Sequence, residues 1–170
     1  MNDEGVKLIF LDIDGVLNCT TTKERCMCFV GIDEEKLSLL KRIVDESTAK
    51  IILTSSWKEN WYKNPFYKNK QDELASYLDE KLNKYGLMVF DKTIEDNPYH
   101  RGEGILNYLL YLNHYGVKIS SFAILDDMTF DFRLRGFTNC LVKTTMNSGL
   151  TEVEVNRALQ ILNKQKEKRA

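Results

Sequence analysis

The sequence predicts a three-layer α/β sandwich, Rossmann-like in build, with helices on both faces of a mainly parallel sheet. Three observations carry that prediction. Segments of strand character alternate with segments of helical period from Lys7 to Leu162. The run "AKIILTS" is continuously apolar up to its end, as a parallel strand covered on both faces requires. No Pro- or Ser-rich tract interrupts the alternation, the chain holding 2 prolines in 170 residues. That length suits one compact domain spanning 1–170, and 43% apolar with 29% charged residues is the composition of a globular protein.

Each element has a local reason. "KLIFLDI" is the first strand, followed by a polar loop. A helix over 34–46 is signalled by Asp33 as N-cap, Glu34 and Glu35 in the first turn, and Leu37, Leu40, Ile43 and Val44 on one face. "AKIILTS" is the second strand. A helix over 72–85 carries Leu74, Leu78 and Leu82 four apart and stops at Gly86. "LMVFD" is a short strand, and a helix over 102–115 ends at Gly116. "SFAILDD" and "CLVKT" are the last strands. The final helix opens with Thr151 and Glu154, the spacing of a capping box, and the tail "NKQKEKRA" is expected to fray.

The formal net charge of −1 gives no global attraction to nucleic acid or membrane, so an anionic partner requires a local basic patch. The acidic start "MNDEGVK" does not fit a secretory signal and no apolar run approaches the ~20 residues of a membrane span, so a cytoplasmic location without membrane association is expected. Cys19, Cys26 and Cys28 share one loop, but without a zinc-like spacing, and with Cys140 they read as free thiols.

In parallel sheets, ligands sit beyond the carboxyl ends of the strands. Asp12 and Asp14 end the first strand, Thr54 and Ser55 the second, and Asp126 and Asp127 the "FAIL" strand, while Arg101 stands at a helix start. A pair of acids at one strand end is commonly a solvated turn. Acids from two strands, a hydroxyl from a third and a cation converging on one rim form a site. Three or four carboxylates held together repel unless a hard cation sits among them, and Mg²⁺ is the natural candidate. One carboxylate can then attack phosphorus.

The ordered set "FLDIDGVLN", "IILTSSW", "HRGEGI" and "FAILDD" resembles motifs I to IV of the haloacid dehalogenase (HAD) superfamily. "DIDGVLN" with "SSW" further resembles the small-capped HAD domain of Swiss Army Knife RNA repair proteins. The resemblance implies a phosphatase with Asp12 as nucleophile and Asp14 as general acid. It implies Mg²⁺ held by Asp12, Asp126 and Asp127 with the backbone carbonyl of Asp14, which places Asp14 in the metal set. Thr54 or Ser55 would bind a phosphoryl oxygen and Arg101 would neutralise it. Arg stands where the superfamily usually has Lys, and Asp131 is a further candidate acid. A catalytically idle anion-binding or regulatory module of the same fold is the alternative. A phospho-receiver domain is disfavoured, because the second strand ends in Thr54 without an acid.

Substrate contacts are sought between motif II and motif III. The stretch over 57–100 is expected to form a small lid, and the cap is otherwise minimal. It interleaves Trp57, Trp61, Tyr62, Phe66 and Tyr67 with Lys58, Lys63, Lys68 and Lys70. Trp57, Lys58 and Trp61 are therefore candidate substrate-binding residues, the rings for bases and the lysine for phosphates. A packed aromatic subdomain with a solvated lysine face is the competing reading. The partner is a phosphorylated substrate, either a small molecule or a nucleic-acid end.

Overall fold

The computed structural model describes residues 5–164, so most of the expected fraying tail lies outside the described residues. Eleven strands and helices follow one another: β1 (Val6–Leu11), β2 (Arg25–Cys26), β3 (Phe29–Val30), α1 (Glu34–Ser47), β4 (Lys50–Leu53), α2 (Glu73–Lys84), β5 (Val89–Lys92), α3 (Arg101–His114), β6 (Ile119–Asp126), β7 (Leu141–Lys143) and α4 (Glu152–Asn163). Five strands form one sheet in the order β5-β4-β1-β6-β7. Every neighbouring pair in it is parallel.

The alternation of side chains along β1 explains the layering. Ile9 and Leu11 point into a core shared with Leu37, Leu40 and Ile43 of α1, Leu78 and Leu82 of α2, and Val155 and Ala158 of α4. Leu8 and Phe10 point the other way, against Ile105 and Tyr108 of α3 and against Phe132 and Phe137. Because both faces are covered, the central strand has no room for polar alternation. Its carboxylates are confined to the strand end.

The helix boundaries follow their local signals. Asp33 accepts from Glu35 N–H at 2.9 Å. The Thr151–Glu154 capping box is formed in both directions. Gly86 and Gly116 stand at positive φ after α2 and α3. Within 57–100, α2 covers the sheet and β5 is its edge strand; the parts outside α-helix and sheet are 57–72, 85–88 and 93–100, the first holding 3₁₀ turns over Ser56–Lys58 and Pro65–Lys70. The polar loop expected after β1 contains an antiparallel hairpin, β2–β3, whose turn places Met27 at φ 53°. A left-handed Met gives none of the Asn-Gly or Asp-Gly signal by which such a turn is read in sequence.

Candidate active site at the carboxyl edge of the sheet

The parallel ladder continues one residue past several strand ends. Asp12 N–H donates to Leu125 O, Thr54 N–H to Leu11 O, Thr93 N–H to Leu53 O and Thr144 N–H to Asp126 O, all at 2.9–3.1 Å. The sheet therefore sets a row of side chains along one rim with backbone precision. Asp12 and Asp126 are buried there beside the Arg101 guanidinium, whose Nη1 donates to Asp12 Oδ2 at 2.9 Å and to Asp126 Oδ2 at 2.8 Å. The guanidinium carbon lies over the Phe130 ring, 4.4 Å from its centroid. One cation for three neighbouring carboxylates leaves a negative excess in a desolvated pocket.

That excess is visible in the acids. Burial pushes the Asp126 carboxyl up to about 7, and the charge of Asp12 adds to the effect against the pull of Arg101 and the Met128 N–H. Asp127 is raised for the same two reasons, burial first and Asp12 second. Asp12, Asp126 and Asp127 each offer a carboxylate oxygen within 4.8 Å of the others. An octahedral Mg²⁺ with bonds of ~2.1 Å spans opposite donors about 4.2 Å apart, so this all-oxygen set fits it. Asp12 Oδ1 is buried with no hydrogen-bond partner, an orphan lone pair that a cation or an electrophile would satisfy.

Gly15 makes this closeness possible. It sits at φ 71°, and a Cβ there would lie 2.6 Å from the Asp127 carboxylate. Thr144 Oγ1 donates to the Gly15 carbonyl at 2.6 Å, so β7 fixes the turn that follows β1. The Asp14 carboxylate lies outside the three-acid group and is held separately. Its Oδ1 accepts from Asn18 Nδ2 at 2.9 Å and its Oδ2 from Trp57 Nε1 at 3.0 Å. As a metal ligand through its side chain, Asp14 is therefore not supported by the geometry.

Thr54 and Ser55 separate cleanly. Ser55 Oγ accepts from Trp57 N–H as the N-cap of a short 3₁₀ turn over Ser56–Lys58. Thr54 Oγ1 is buried on the rim with no partner. The hydroxyl available to a ligand is that of Thr54.

The three expected substrate contacts are corrected. Trp57 and Trp61 are 4% and 2% exposed and pack in the core, so neither ring presents a face to a base. Trp61 Nε1 donates to Asp79, while Lys68 pairs with the same acid and lies over the Trp61 ring. Lys58 is committed to Glu95 in a buried ion pair and also donates to Thr93 Oγ1 at 3.0 Å. Burial pushes the Lys58 ammonium down against the pull of Glu95. The apolar spacing that buries these rings is invisible in a stretch read as aromatic and basic. Asp131 also departs from its expected place: its two oxygens accept from Gly102 N–H at 2.6 Å and Glu103 N–H at 3.0 Å, capping α3.

Asn18, Thr93, Glu95 and Thr144 were not anticipated. Asn18 alone carried a sequence signal, since it lies four residues beyond Asp14, within reach across a single turn. The others meet the rim only through the fold.

A parallel sheet whose carboxyl edge gathers an Asp-x-Asp-Gly turn, a free strand-end Thr, a helix-borne Arg and a second pair of acids defines a domain of the HAD superfamily. The family model of the HAD domain in Swiss Army Knife RNA repair proteins matches residues 8–155, and the chain belongs to that family. No curated protein and no solved structure matches the chain significantly.

Proposed function

We propose that this domain is a Mg²⁺-dependent phosphohydrolase that cleaves phosphomonoesters through an aspartyl-phosphate on Asp12. The observation that carries the reading is the orphan Oδ1 of Asp12, a buried and unpartnered carboxylate oxygen beside Arg101 and two further acids. Asp12, Asp126 and Asp127 would hold the metal, which when bound neutralises the acids and the phosphoryl oxygens so that an anionic nucleophile meets an anionic substrate.

The remaining steps belong to the chain's own groups. Asp12 Oδ1 forms a bond to phosphorus as the bond to the ester oxygen breaks, and the departing electron pair takes a proton from Asp14. Thr54 Oγ1 and Arg101 bind the phosphoryl oxygens during the transfer. The ionised Asp14 then takes a proton from water as its oxygen attacks phosphorus. The Asp12–phosphorus bond breaks, and phosphate and both acids are regenerated.

Membership of a family described by its RNA repair proteins supports a terminal phosphate on nucleic acid as the substrate. The buried tryptophans offer a strand no surface, while in the loop before α2 Phe66 is 88% exposed and Lys70 lies over the exposed Tyr67 ring. The test is phosphate release with Mg²⁺ from terminally phosphorylated RNA and DNA, sugar phosphates and nucleotides. Asp12→Ala is expected to abolish turnover in every case. Unchanged turnover in that variant, or no release from any substrate by the parent protein, overturns the reading; preference for sugar phosphates over nucleic-acid ends overturns its nucleic-acid part alone.

A further inference from the structure

Asp14 is held by two donors that leave it little freedom. Trp57 contributes an indole N–H, which can donate but never accept, at 3.0 Å from Oδ2. Its ring is 4% exposed, its backbone N–H is capped by Ser55, and it leans on Tyr77 with centroids 6.4 Å apart. The donor's position is therefore fixed by core packing, not by solvent. Asn18 contributes the other bond at 2.9 Å to Oδ1. Its amide orientation follows from chemistry: Asn18 Oδ1 accepts from Gly15 N–H at 2.9 Å, so Nδ2 must face Asp14. One bond reaches Asp14 from the turn after β1 and the other from the turn after β4.

We infer that Trp57 is a positioning residue that, with Asn18, aims the Asp14 carboxyl at the leaving oxygen. The inference rests on the phosphohydrolase reading and deepens it. A tryptophan that merely filled the core would satisfy its N–H on any carbonyl; this one selects the acid whose proton transfer decides whether a poor leaving group departs. The proton moves from Asp14 to the ester oxygen as the phosphorus–oxygen bond breaks, and no other reactant is needed.

The consequence depends on the leaving group. An alkyl phosphate releases a basic alkoxide that needs the proton, whereas 4-nitrophenyl phosphate releases a stabilised phenolate that does not. The readout is kcat/KM, which covers the steps through departure of the first product. For Trp57→Phe, which keeps a ring but removes the donor, kcat/KM for an alkyl phosphate is expected to fall about tenfold or more, a part of the 10²–10⁴ that a general acid supplies. For 4-nitrophenyl phosphate it should change less than about twofold, with Asp14→Asn showing the same selectivity more strongly. Tyr77→Phe, which removes the hydroxyl bonded to Ile32 N–H, serves as the packing control and is expected to be unselective. Benzothienylalanine at position 57 replaces only the N–H by sulfur and repeats the test if the Phe variant does not fold. An equal loss on both substrates, or no loss on either, overturns the inference while leaving the phosphohydrolase reading intact. A parent protein inactive on both overturns both.

Discussion

Thr54 and Ser55 are adjacent hydroxyls, both buried at the end of β4, yet they answer to different forces. Ser55 closes a turn, and Thr54 is left unsatisfied in a pocket where an unpaired polar atom is costly. Thr54→Val keeps the branched shape and removes the orphan, so thermal stability is expected to hold or rise slightly while phosphate turnover falls at least about tenfold. Ser55→Ala should do the reverse: the 3.4 Å cap is weak, so about 0.5 kcal/mol of stability is lost with a smaller effect on turnover. Melting curves and kinetics on the two variants check this, and equal kinetic losses would return the choice between them to open. Sequence left that choice open because a strand's alternation fixes sides, not which hydroxyl a following turn consumes. The same limit hid the fate of Trp57 and Lys58, whose partners Asp14 and Glu95 lie 43 and 37 residues away.

At the scale of elements, α3 shows how a helix start becomes part of a site. Arg101 opens α3, where the dipole disfavours a cation, and His100 at the N-cap makes no side-chain capping bond. Asp131 compensates from the segment after β6, accepting from two backbone N–H groups and from Arg135 Nε at 3.3 Å. The starts of α1 and α4 were legible because their caps lie within three residues of the first turn, whereas α2 was read from its leucine spacing and Gly86, and the end of α3 from Gly116. The cap of α3 comes from 29 residues downstream of Gly102, so Asp131 stood in the sequence only as a candidate further acid of the resemblance, where the fold uses it to cap a helix. Removing it with Asp131→Ala is expected to cost about 1–2 kcal/mol in denaturant unfolding, as for a lost N-cap, and to lower turnover by displacing Arg101. Asp131→Asn, which keeps one acceptor oxygen, should recover part of both. A stability loss with full turnover would show that Arg101 is held by Asp12 and Asp126 alone.

At the scale of the whole molecule, one geometric rule turned sequence into site: residues at the carboxyl ends of β1, β4 and β6 share a rim because the sheet order sets these strands side by side. That rule brought the acids, Arg101 and the pair Thr54 and Ser55 to the rim in advance without choosing between the two hydroxyls, while the hairpin and the rim threonines Thr93 and Thr144 depended on pairings that no periodicity encodes. The rim also concentrates like charge where the core excludes water, so the fold holds its acids at a cost in stability that a bound cation would offset. Neutralising one acid separates these terms. Asp127 is raised by burial and by Asp12, and Gly15 lets it approach without steric cost, so Asp127→Asn removes repulsion and little packing. Without metal the variant is expected to melt on the order of 1 °C above the parent, the size that a modest stability change gives a chain of this length. Mg²⁺ should raise the parent's melting temperature and raise that of Asp127→Asn far less, with turnover falling in step. If the variant melts lower without metal and keeps the parent's Mg²⁺ response, the three acids are an internal ion network around Arg101 and not a cation site.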